Sequence, residues 1–130
     1  MKPPKDAKII EWPTSTIWFE ESGILCSVSK KTPPQTFEEV RKSMEEFKKL
    51  IGDKKICLLA DVTNSSESTK EARDYAAVEF PKMIKAIAMI SSSALGKMLA
   101  NMFFRIKAQP YPIKMFTDEM EARKWLEKHV

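Results

Sequence analysis

Three short runs of small polar side chains are the part of this sequence best suited to chemistry: Asp61-Val62-Thr63-Asn64-Ser65-Ser66, Ser91-Ser92-Ser93 and Thr117-Asp118. Each follows an apolar stretch and precedes a helical pattern. That places each at the carboxyl end of a strand, where ligands bind in open α/β sheets. Hydroxyls and free helix N-terminal amides could there hold a phosphate or another anion. The same residue types are also what helix N-caps require, each contributing about 1 kcal/mol. The Gly-rich loop that brings backbone amides to a phosphate is missing, the nearest glycine being Gly96. Asp61 with Glu67 or Asp118 could do acid and base work if the fold brought them together. Carboxylates at helix starts are equally what the helix dipole favours.

Other reactive arrangements are poorly supplied. The only histidine, His129, is the penultimate residue, so a serine or cysteine nucleophile lacks a well-positioned base. Cys26 and Cys57 sit in apolar runs and read as buried thiols. With one histidine they cannot complete a familiar zinc set, and a disulfide between them is disfavoured in a reducing compartment. No Walker A loop, dinucleotide-binding glycine pattern or zinc-protease helix occurs. Aromatic residues do not alternate with basic ones on a strand, so nucleic acid is not expected as a partner. The expectation is no catalytic residue, no metal and no cofactor.

The elements that would position these loops follow from the hydrophobic pattern. Residues 1–13 read as a polar leader, and residues 14–130 as one domain with no linker longer than about six residues. Thr14 to Glu20 and Ile24 to Ser29 alternate about a Glu21-Ser22-Gly23 turn, an antiparallel hairpin. After Pro33-Pro34, the capping box Thr36-Phe37-Glu38-Glu39 opens a helix with Phe37, Val40, Met44, Phe47 and Ile51 on one face, ended by Gly52. Three strand–helix units follow. Lys55 to Val62 is nearly continuously apolar, as in a central parallel strand. Ser68-Thr69-Lys70-Glu71 reads as a second capping box, and its helix runs to Pro81. Lys85 to Ile90 precedes a helix with Leu95, Leu99, Met102 and Ile106 on one face. Ile113 to Phe116 precedes a closing helix capped by Thr117 or Asp118, with Ala122, Trp125, Leu126 and His129 inward. The predicted order is ββαβαβαβα, an α/β mixed sheet of about five strands with packed helices.

Composition bounds the function. At 130 residues, 43% hydrophobic and 31% charged, the chain can bury a core without disulfides or metals. The longest uncharged stretch, Ala86 to Gly96, is too short for a transmembrane helix, and no apolar segment follows the first lysines as in a secretory signal. A cytoplasmic protein is expected. The net charge of +4 arises from one region: between Pro81 and Thr117 there are six basic residues and no acidic one. Such a bias can attract an anionic ligand or an acidic partner, or it can be the solvated edge of ordinary helices. Met98, Met102 and Phe103, with Leu99 and Phe104, make one helix apolar on more than one side. That suits either a central helix or an apolar patch for a partner, a second copy of the chain or a lipid.

The run Ile56-Cys-Leu-Leu-Ala-Asp61-Val62, then Glu71-Ala-Arg-Asp-Tyr75, Ala86-Ile-Ala-Met-Ile90, Asn101-Met-Phe-Phe104 and Pro112-Ile-Lys-Met-Phe116-Thr-Asp-Glu with Ala122-Arg-Lys-Trp125-Leu126, resembles the small bacterial SpoIIAA-like proteins of the STAS/SEC14 type. The resemblance covers roughly residues 14 to 128. It implies a mixed sheet with helices and a non-enzymatic regulatory or binding role. A protein partner or small ligand would meet the loops ending the parallel strands, with Asp61, Thr63, Asn64, Ser65, Ser66, Ser91, Ser92, Ser93 and Thr117 as candidates. STAS-type antagonists are switched by phosphorylation of a serine in Asp-Ser-Ser/Thr-Gly. The chain offers Asn64-Ser65-Ser66-Glu67 or Glu67-Ser68-Thr69-Lys70 there, neither with the Asp and the Gly together, and Ser65 and Ser66 are the candidate positions. SEC14-type relatives instead imply a lipid or other hydrophobic ligand, and a small enzyme of unknown chemistry is the third alternative.

Overall fold

The computed structural model describes residues 1–130. One sheet holds six strands in chain order: β1 (Ile10–Glu11), β2 (Ser15–Phe19), β3 (Leu25–Ser29), β4 (Ile56–Asp61), β5 (Ile84–Ile90) and β6 (Ile113–Phe116). The β1–β2 and β2–β3 pairs are antiparallel; β3 to β6 run parallel. The sixth strand comes from the stretch read as leader, where Ile10 and Glu11 pair with Ile17 and Thr16.

Helices α1 (Phe37–Ile51), α2 (Lys70–Met83) and α3 (Ala94–Phe104) connect successive parallel strands, and α4 (Glu119–Glu127) closes the chain. Each crossover advances one strand in the same direction. Because such crossovers are right-handed, all three helices fall on one face of the sheet. The last helix has no further strand to reach and covers the other face. Two cores result. Ile17, Leu25, Leu58, Ala60, Ile87 and Met89 pack with α1, α2 and α3. Trp18, Cys26, Cys57, Leu59, Ala86 and Ala88 pack with Ala122 and Leu126 of α4. Neighbours on a strand, such as Leu58 and Leu59, thus serve different cores, as the period of two requires.

Local signals explain the helix ends. At α1 the Thr36 hydroxyl accepts from the Glu39 amide at 3.3 Å, while the Thr36 amide donates to the Glu39 carboxylate at 3.2 Å. Gly52, at φ 67°, stops the helix in a conformation that suits glycine. The cap of α2 is Thr69, which accepts from the Ala72 amide, so the box expected at Ser68 is displaced by one residue and becomes a simple cap. Asp118, not Thr117, caps α4.

The apolar stripe of α3 is divided between the core and solvent. Gly96 and Ala100 are its buried residues, while Leu95 and Met102 lie outward. The reason is steric: a side chain at position 96 would collide with the main chain of Val62 and Thr63. The small residues therefore mark the contact side, and the bulky ones are turned away from it. Met98 and Met102 are about half exposed, whereas Phe103 turns inward, so the three expected patch residues do not share one surface.

Candidate functional site

The loops at the strand ends are knitted by their own hydroxyls. Asp61 Oδ1 accepts from the Thr63 amide at 3.0 Å, and Thr63 Oγ1 accepts from the Ser92 amide at 3.1 Å. The Asn64 amide donates to Ser29 Oγ at 2.9 Å, and the hydroxyls of Thr32 and Ser66 bond to each other. Ser91 Oγ accepts from the Ser93 amide at 3.1 Å and donates to the Ser93 carbonyl at 2.7 Å; Ser93 Oγ caps α3 by accepting from the Gly96 amide at 3.1 Å. Thr117 is exposed and precedes the cap of α4. The loops after β4 and β5 are thus brought together. The loop after β6 makes no hydrogen bond with them.

Beneath them lies a cavity of about 170 Å³ between the sheet and α1, reaching α2 and α3. Of the sequence-predicted residues, Asp61, Ser65, Ser66 and Phe103 line it, while Thr63, Asn64, Ser91, Ser92, Ser93, Thr117, Met98 and Met102 do not. Strand alternation sets Asp61 with Cys57 and Leu59 on the α4 side, and its carboxylate accepts from the Thr63 amide, closing that turn.

The cavity is chemically two-sided. Its apolar part holds Leu58, Met44, Phe47 and a cluster in which Phe80 stacks on Phe104 at 5.0 Å and meets Phe103 edge-on at 5.8 Å. Its polar part holds Ser15, Ser27, Ser29 and Ser43, and Lys30 also borders it. Ser29 is engaged by Asn64, but the other three hydroxyls have no partner in the chain. Lys30 donates to the Trp12 carbonyl at 3.0 Å and pairs with Glu11 at 2.5 Å. Both members of that ion pair reach solvent, so it is a weak one.

These inner residues were not singled out from the sequence, although a signal was present. The alternation Leu25-Cys26-Ser27-Val28-Ser29 reads as one wet and one dry strand face. In the fold, β3 is an interior strand with Leu25 and Cys26 both fully buried. Serines on a covered face have to meet either partners or space, and here they meet the cavity.

Elsewhere the titratable groups serve the fold. Arg123 forks onto Glu20 at 2.6 and 3.0 Å, joining α4 to the end of β2, and holds that carboxyl below its ordinary pKa. Burial, with help from Glu20, pushes the Cys26 thiol up to about 12, and burial also raises Cys57, so both free thiols stay protonated. Glu79, nearly buried on α2, pairs with Lys48 of α1 and, at 3.0 Å, with Lys82; its carboxyl is held below the ordinary range by Lys48 first. No three His, Cys, Asp or Glu side chains converge as a metal site would need.

The model of a family described as a domain of unknown function, DUF7793, matches residues 17–130. The chain belongs to that family. Among solved structures, it is similar to a protein of the DUF3478 family with a SpoIIAA-like fold from Shewanella loihica PV-4. That protein is 19% identical over 97% of this chain and 98% of the other, with a TM-score of 0.52. The DUF7793 domain accordingly has the SpoIIAA-type fold, with four packed helices on a mixed sheet. A protein of unknown function from Arthrobacter sp. FB24 is 27% identical over 85% of this chain and 96% of the other, with a TM-score of 0.32. No curated protein matches the chain. No helix is long and apolar enough to cross a membrane.

Proposed function

We propose that this domain is a cytoplasmic, non-enzymatic binding module that holds a small amphipathic ligand under the loops ending β3 and β4. The observation that carries the reading is the single cavity joining Ser65 and Ser66 at the rim to Phe80, Phe103 and Phe104 inside. Convergent polar groups above a largely apolar wall are the usual composition of a small-molecule site. A hydrophobic cavity of about 150 Å³ accommodates benzene. A space of about 170 Å³ therefore fits a ring-sized body and is too small for the chains of a membrane lipid, which disfavours the lipid-carrier alternative.

Native mass spectrometry of the purified protein tests the reading, together with thermal unfolding before and after stripping through a denatured state. The expected result is a small copurified mass whose removal lowers the unfolding midpoint and whose return restores it. An unloaded protein that responds to no member of a fragment set in a binding screen would sink the proposal.

The outward Leu95, Met98 and Met102, each about half exposed or more, favour a protein-partner reading as a second role of the same domain. Modification of Ser65 or Ser66 would place charge at the cavity rim and so could couple the two roles. Ser66→Asp is expected to weaken ligand retention and leave the fold intact; unchanged ligand and partner binding would remove this coupling.

A further inference from the structure

Resting on the reading of the cavity as a ligand site, we infer that its ligand is uncharged: a ring-sized apolar body carrying one hydrogen-bonding group, such as an aromatic alcohol or amide. Size sets the first limit, since about 170 Å³ holds one ring-sized group. Charge sets the second. Lys30 and Asp61 are the two charged residues bordering the cavity, and strand alternation turns both to the α4 side of the sheet, in step with Cys26 and Val28 on one strand and Cys57 and Leu59 on the other. Both are also engaged. Lys30 pairs with Glu11, which accepts from Thr16 as well, and donates to the Trp12 carbonyl, while Asp61 accepts from the Thr63 amide. An ionised guest of either sign would therefore give up water without meeting an opposite charge, which is costly.

Hydrogen bonding sets the third limit. Ser15 and Ser27 fall on the cavity side of β2 and β3 with Ile17 and Leu25, and Ser43 lies on the inward side of α1 between Val40 and Phe47. Their hydroxyls have no partner in the chain. A hydroxyl both donates and accepts, so these three can satisfy an alcohol, a carbonyl or an amide, yet they bring no net charge to balance an ion. At the other end, Phe80, Phe103 and Phe104 offer ring faces and edges to an apolar body.

Four probes of matched size test the inference on the full chain: 2-phenylethanol, propylbenzene, phenylacetate and 2-phenylethylammonium, titrated by amide NMR and calorimetry at neutral pH. The alcohol is expected to bind about tenfold or more tighter than either ion, shifting the amides of Ser27 and Ser43. Ser27→Ala and Ser43→Ala are each expected to weaken it by roughly fivefold, the scale of one neutral hydrogen bond, and to leave propylbenzene no weaker. Because neither hydroxyl has a partner in the chain, both variants keep the fold, which their unfolding midpoints verify.

An ion that binds as tightly as the alcohol, or propylbenzene binding alone, overturns the inference and leaves the cavity reading standing. An equal response of the two neutral probes to the alanine variants does the same. If none of the four binds, the inference falls, and the cavity reading falls with it unless a cavity-filling Ser43→Leu expels a copurified ligand.

Discussion

The two faces of the sheet are built from alternate residues of the same strands, yet one is solid and the other hollow. Under α4 the contributions are Trp18, Cys26, Cys57, Leu59, Ala86, Ala88 and Leu126, with no serine among them. Under α1 the corresponding wall runs Ser15, Ile17, Leu25, Ser27 and Ser29, and a cavity remains between it and the helix. A single helix, setting Ala122 and Leu126 on Ala86 and Ala88 of β5, can sit close. Three helices following three crossovers tile less perfectly, and the gap falls where serines replace branched apolar side chains. Both faces carry core residues, and the face under α1 also leaves room for a guest.

The adjacent Leu58 and Leu59 make this comparison measurable. Both are buried, on opposite faces, but Leu58 lines the cavity and Leu59 is enclosed. Truncating an enclosed leucine costs about 2–5 kcal/mol, rising with the void created. A side chain beside an existing void has already lost part of its dispersion partners. Leu59→Ala is therefore expected near the upper end of that range and Leu58→Ala lower by about 1 kcal/mol or more. Equal losses in urea denaturation would show that the hollow face is as tightly packed as the solid one.

Gly96 tests how the hollow face is roofed. The first turn of α3 rests on the main chain of Val62 and Thr63, with no room for a side chain. Gly96→Ala would gain helix propensity but has to push α3 off the loop after β4, for a net cost of about 1–3 kcal/mol. The amide shifts of Thr63 and Ser92, which bond each other, are expected to move with it. A neutral or stabilising outcome would mean that the roof is loosely held.

How much of this was legible in the sequence depends on what each signal encodes. Strand and helix order was readable because each unit carries its own periodicity and cap, as the reciprocal bonds of Thr36 and Glu39 illustrate. The candidate loops were readable because strand ends are where chain direction reverses. The cavity was not, because Ser27 and Ser43 come from separate elements and acquire meaning only when α1 closes over β3. Which side of α3 packs inward was not legible, because hydrophobic period alone leaves more than one apolar side, whereas a close approach selects Gly96 and Ala100. The strand at Ile10–Glu11 is two residues long, too short for any period to show.

On the solid face the polar element is the Glu20–Arg123 fork, and its contribution depends on pH. Arg123 holds the Glu20 carboxyl below its ordinary pKa, so folding favours the ionised form. The stabilisation is complete above the unfolded pKa, about 4.3 for glutamate, and is lost as pH falls through the lower folded value. Glu20→Gln is expected to cost about 1–2 kcal/mol at neutral pH. The difference from the parent protein should shrink as unfolding is measured toward about pH 3, below the usual glutamate range. A pH-independent difference would assign the loss to packing rather than to charge.

The smallest effect on stability is expected on the hollow face, and it is the most informative for function. Ser27 presents an unpartnered hydroxyl to the cavity from an interior strand, where a β-branched residue would fit the pleat. Ser27→Val removes a polar group that nothing in the chain satisfies and adds apolar volume to the void. Filling of this kind stabilises natural domains by about 0.5–2 kcal/mol, and the single methyl gained here places the expectation at the lower end. Ligand retention should move the other way, since a guest loses a polar contact and the cavity loses space. A variant that is more stable and retains copurified ligand less well in native mass spectrometry would show that Ser27 is kept for the ligand against the interest of the fold. Loss of both properties would mean instead that the hydroxyl supports the packing of α1 on β3, and the contrast between the two faces would narrow.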